Sequence, residues 1–63
     1  MRNRLREIRM REYMLEPLEF AEKINVNLKT YYAWENGNAN PSLKKALEVS
    51  KILNKSVEDI WFI

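Results

Sequence analysis

LEPLEFAEKINVNLKTYYAWENG, running from Leu15 to Gly37, carries two short helical patterns with a break between them. Phe20, Ala21 and Ile24 fall on one face of a first helix, and Tyr31 and Trp34 on one face of a second, at the three-and-four spacing helices require. Pro17 marks the first start, where its missing N–H costs nothing. Glu16 takes the capping place, and Glu19 lies in the first turn, where the helix dipole favours negative charge. Asn25 tolerates the left-handed backbone conformation a helix end needs. Asn27 is a ready N-cap for the second helix, and Gly37 supplies the positive φ that ends it. Two helices crossing steeply over so short a turn approach closely only if a small side chain sits at the crossing, and Ala21 is that residue.

The periodicity extends both ways. Upstream, Asn3 caps a helix of roughly Arg4 to Tyr13, with Leu5 and Ile8 inward and the arginines and Glu12 outward. Downstream, Asn36 to Pro41 reads as a polar loop, and Ser42 caps a helix of about Leu43 to Leu53. Leu43, Ala46, Leu47, Ser50 and Leu53 are its expected inward stripe, and Asn54 its end. Ser56-Val57-Glu58-Asp59 opens a last short helix, on which Val57, Ile60 and Trp61 share a face. Trp61 then completes the core, which leaves Phe62 and Ile63 with no obvious place inside. The reading is all-α, five helices in one domain, residues 1–63.

A chain of 63 residues has a small core, and small folds usually lean on disulfides, metals, partners or very regular helices. Cysteine and histidine are both absent, which excludes disulfides, thiol chemistry and the usual zinc sites. No apolar run approaches the roughly 18 residues of a membrane helix, and no apolar segment follows the basic N-terminus as in a signal peptide. A cytoplasmic protein without cofactor is expected. The net charge of +2 is unevenly placed. Residues 1 to 11 carry five arginines against one glutamate, giving +4, and the remainder has six lysines against eight acids, giving −2. A modest total is compatible with nucleic-acid binding, because the charged face matters more than the sum. With no His or Cys, an enzyme would depend on helix-surface carboxylates lacking a cleft to shift their pKa values.

FAEKINV at 20–26, WENG at 34–37 and NPSLKKAL at 40–47, in that order and spacing, resemble the phage Cro and repressor family of helix-turn-helix regulators, often called Xre-like. The likeness runs from about Asn3 to Phe62. It implies a compact lambda-repressor-like DNA-binding domain whose helix-turn-helix is formed by helices 2 and 3, in a bacterial or phage-derived, nucleoid-associated regulator. It also implies that Arg9 pairs with Glu35, tying the first helix to the third. Three departures stand out. Tyr13-Met14 replaces a single glycine before the leucine. Glu16-Pro17 replaces a Ser-Gln whose glutamine touches the DNA backbone. The lysines usual near Asn38 and Asn40 are missing.

For a helix in the major groove, residues at its N-terminal end and one turn later reach base edges. Asn27, Leu28, Lys29, Tyr32 and Ala33 are the candidates here. Lys29 can donate to guanine O6 and N7, while Leu28 and Ala33 can touch thymine methyls. Asn36, Asn38, Asn40 and Lys44 are candidates for phosphate oxygens. Lys44 sits in the first turn of its helix, a poor place for a cation unless phosphate lies nearby. One such module covers a single half-site, so a homodimer on a palindromic operator is expected, with Phe62 and Ile63 at the two-fold contact. The competing reading is a helical protein-interaction module that does not read DNA, with Leu18, Leu28, Tyr32 and the apolar chain end as its surface.

Overall fold

The chain opens with β1 (Arg2–Asn3) and turns at once into α1 (Leu5–Glu7), in a computed structural model that describes all 63 residues. Asn3 makes that turn: its Oδ1 accepts a hydrogen bond from the Leu5 N–H at 3.1 Å, satisfying a donor that a helix start leaves open. Helix α1 continues as a π-helical segment over Ile8–Tyr13 and ends at Met14, whose φ of 52° is left-handed. A π turn bonds to the fifth residue back instead of the fourth, as the Met14 N–H does to the Arg9 carbonyl. Such a widened turn absorbs one extra residue, which is the residue by which Tyr13-Met14 exceeds the resembled pattern.

Helix α2 (Pro17–Lys23) begins with the Glu19 carboxylate accepting from the Glu16 N–H at 3.1 Å. It ends in two overlapping bonds, Asn25 N–H to Glu22 O at 3.1 Å and Val26 N–H to Ala21 O at 3.0 Å, around Asn25 at φ 62°. That is a Schellman end with asparagine in the left-handed position. Helix α3 (Leu28–Glu35) starts on Asn27, whose side chain accepts from the Thr30 N–H at 2.7 Å. Gly37, at φ 83°, closes it. Ser42 caps α4 (Leu43–Leu53), Asn54 ends that helix in the left-handed region, and Ser56 caps α5 (Val57–Ile60).

Twelve apolar residues form the core, drawn from every helix. Leu5, Phe20, Ala21, Ile24 and Tyr31 are fully buried, and Phe20 meets the Tyr31 ring edge-on at 5.6 Å between centroids. Burial of this kind stabilises by about 1.5–3 kcal/mol per large side chain. Helix α4 differs from expectation. Its buried stripe is Ala46, Val49, Ser50 and Leu53, while Leu43 is 74% exposed and Leu47 49%. Leu47 follows Ala46 by one position, about 100° around the helix, and so falls on the flank. Leu43 sits on the first turn, beyond the body that covers the rest.

The chain end also differs. Trp61 does not extend α5; it enters β2 (Trp61–Phe62), antiparallel to β1, with Arg2 opposite Phe62 and Asn3 opposite Trp61. The Arg4 N–H extends this ladder to Ile60 O at 2.8 Å. Trp61 is buried all the same, edge-on to Trp34 at 6.1 Å. Phe62 is half-buried and Ile63 fully exposed. No helix is long and apolar enough to cross a membrane.

Candidate nucleic-acid interface

Three sets of contacts hold α3 and the turn before it. The first joins it to α1. Arg9 Nε donates to the Tyr31 hydroxyl at 3.0 Å, the hydroxyl donates to Glu35 Oε2, and Arg9 Nε lies 3.6 Å from that same oxygen. Arg9 Nη1 also donates to the Leu15 carbonyl at 3.0 Å, pinning the chain that leads into α2. Burial, followed by the bond to Glu35, raises the Tyr31 pKa well above its ordinary value. Burial opposes the Arg9 charge, but the Tyr31 and Glu35 contacts outweigh it and the net shift is upward. Both shifts favour a protonated phenol between a guanidinium and a carboxylate. The second contact is Asn3 Nδ2 to Trp34 O at 2.8 Å, at the far end of α3. In the third, Lys45 Nζ donates to the Asn25 carbonyl at 2.9 Å, so α4 grips the turn itself. Glu48, 3.8 Å from the same ammonium, offsets the cation in the first turn of α4.

With one face fixed, α3 presents the opposite one. Lys29, Tyr32, Ala33 and Asn36 recur at intervals of three and four and share that side. Lys29, Tyr32 and Asn36 are exposed and Ala33 is half-buried. Lys29 has no ion pair or hydrogen bond within the chain, so its three donors are available. The Asn27 side-chain oxygen is committed to the cap, which leaves its amide nitrogen. Leu28 is half-buried and packs against the core, so less of it reaches outward than of its neighbours.

Beyond α3, Asn36 Oδ1 accepts from the Asn38 N–H at 3.0 Å and shapes the loop. Asn38, Asn40 and Lys44 are exposed, and none of their side chains is paired. The candidate readout and backbone residues thus come from α3, the loop after it and the start of α4. Two residues with supporting roles were not legible as such. Tyr31 fits the sequence as a core aromatic, and only the position of Arg9 across the helix pair gives its hydroxyl a task. Lys45 differs from Lys44 only in facing back toward the turn, which the spacing of 20 residues from Asn25 hides.

A model of the helix-turn-helix family matches residues 5–60. Two proteins of Archaeoglobus fulgidus, each described as an uncharacterised HTH-type transcriptional regulator, are 36% identical over 61 residues, 97% of this chain and 86% and 84% of theirs. A protein of Methanocaldococcus jannaschii with the same description is 33% identical over 61 residues, 97% of this chain and 91% of its own. No solved structure matches this chain at a significant level. With the turn at Asn25, the pairing of Arg9 with Glu35 and a match over nearly its whole length, the chain belongs to the helix-turn-helix family in its Xre-like form.

Proposed function

We propose that this protein is a sequence-specific double-stranded DNA-binding transcriptional regulator, acting as a repressor in the cytoplasm by laying α3 in the major groove. One observation carries the reading: Lys29 and Ala33 stand with unpaired side chains on the outward side of α3, a helix tied to the body at Tyr31 and Trp34. A helix fixed in this way meets base edges without first losing conformational freedom. Lys29 donates to guanine O6 and N7, Ala33 lets the helix sit deep against thymine methyls, and Tyr32 and Leu28 border the contact. Asn27 contributes its amide nitrogen. Asn36, Asn38, Asn40 and Lys44 take phosphate oxygens and set the register. Repression follows from occupancy of the site.

Two copies bind a palindromic operator with their recognition helices one DNA turn apart, roughly 34 Å. Ile63, fully exposed beside Phe62, forms the two-fold contact, and the pairing completes itself on DNA. Selection of bound duplexes from a random pool, followed by a salt titration on the winner, tests the reading. The regulator gives an enriched motif and a steep negative salt slope. Lys29→Ala weakens binding by about 1–3 kcal/mol and relaxes one base position. A protein that enriches no duplex is instead an interaction module.

A further inference from the structure

The loop from Asn36 to Pro41 is placed to meet phosphate, yet it holds no charged residue. Chain from elsewhere lies against it. The Met1 carbonyl is 3.9 Å from where a side chain on Gly37 would begin, and Asn3 Nδ2 holds Trp34 O. Arg2 lies between those two anchors, so its backbone passes the C-terminal end of α3 where the loop begins. The β1–β2 ladder sets the direction of its side chain. Arg2 faces Phe62 across the ladder, and cross-strand partners project to the same side. The half-buried Asn3 and the buried Trp61, the neighbouring pair, face the body, so Arg2 and Phe62 face away from it.

The two arginines at this edge have different surroundings. Arg4 and Arg2 lie 4.5 Å and 5.2 Å from the centre of the Phe62 ring. Arg4 donates to the Asp59 carbonyl at 3.3 Å and lines a cleft with Glu7, Arg11, Glu12, Lys55 and Asp59, in which Glu7 pairs with Arg11 and Glu12 with Lys55. Arg2 is exposed and absent from that cleft, and its side chain has no hydrogen bond or ion pair in the chain. Two like charges on one ring repel until an anion joins them. A guanidinium held flat on an aromatic face keeps its edge donors free in a fork that fits phosphate oxygens. Because the ring already orders the side chain, less conformational entropy remains to be lost on binding.

We infer that Arg2, stacked on Phe62 beside the loop between α3 and α4, is a DNA-backbone contact that supplies the phosphate-binding charge this loop lacks. The inference rests on the DNA-binding reading above. It gives the strand ladder a role in binding, because pairing the two chain ends is what carries a cation to the loop.

The test is a salt titration of a fluorescein-labelled duplex of mixed sequence, roughly two helical turns long, followed by anisotropy. The parent, Arg2→Gln, Arg2→Lys and Arg6→Gln are compared, with thermal melts of each. Arg6 is an exposed arginine on α1 that serves as a charge-matched control. Arg2→Gln should lower the salt slope by about one and weaken binding on the order of tenfold at 0.1 M salt. Arg2→Lys should keep most of the slope, and Arg6→Gln should keep the parent slope and affinity. A parent slope in Arg2→Gln, or an equal loss in Arg6→Gln, overturns the contact while leaving DNA binding intact. A parent that does not bind the duplex at all overturns the functional reading and the inference with it.

Discussion

Removing the Tyr31 hydroxyl tests how the recognition helix is held. In Tyr31→Phe the ring stays against Phe20, and only the oxygen between Arg9 and Glu35 is lost. Two hydrogen bonds to charged partners disappear, each worth about 1.5–3 kcal/mol. Much of that returns, because Arg9 Nε and Glu35 Oε2 stand only 3.6 Å apart and can close into a direct pair. Arg9 also keeps the Leu15 carbonyl. The expected net cost is therefore about 1–2 kcal/mol, read from urea unfolding at neutral pH. Glu35→Ala should cost more, about 3 kcal/mol, since it leaves a partly buried guanidinium and a phenol without their acceptor. The difference between parent and Tyr31→Phe should also depend on pH. The phenol's folded pKa is raised, first by burial and then by Glu35, above the unfolded value of 10.0. The native state thus holds this proton after the unfolded chain releases it. The resulting stability is complete below about pH 10 and declines as pH rises further. Equal stabilities at neutral pH, or a larger cost for Tyr31→Phe than for Glu35→Ala, would refute the bridging role.

Ala21→Leu should wedge α2 from α3 and cost about 1–3 kcal/mol in thermal or urea unfolding, because Ala21 is fully buried at the crossing. An unchanged melt would place the crossing elsewhere. Met14→Gly should stabilise by about 0.5–1 kcal/mol, as Met14 is exposed, left-handed and gains nothing from its side chain. On α4, Leu47→Gln should stay within about 0.5 kcal/mol of the parent, and Val49→Ala should lose about 1–3 kcal/mol. The reverse order would restore the stripe expected from the sequence.

Features written in one residue were legible. Asn25 at the turn, the Asn27, Ser42 and Ser56 caps and Asn54 at the end of α4 each follow from local backbone chemistry. The pairing of Arg9 with Glu35 came from the resemblance, and the π-helical turn explains how it survives an added residue. What depends on packing was not legible. Apolar residues on α4 admit two stripes that share Ala46, Ser50 and Leu53, and only the neighbouring helices choose Val49 over Leu43 and Leu47. A ladder of two residues a strand has no periodicity to read, so Arg2 and Phe62 gave no sign of meeting. Spacing put Leu28, Lys29, Tyr32, Ala33 and Asn36 on one side of α3, where Lys29, Tyr32 and Asn36 are exposed while Ala33 and Leu28 are half-buried.

The central claim is that α3 enters the DNA. Ala33→Glu tests it most directly, by placing a carboxylate on the outward face of α3 without touching a fully buried residue. Anisotropy with the selected duplex should show affinity falling by more than about a hundredfold, since like charges brought together at an interface cost several kcal/mol. The thermal melt should match the parent. A folded Ala33→Glu protein that binds the duplex as tightly as the parent would contradict the placement of α3 in the groove.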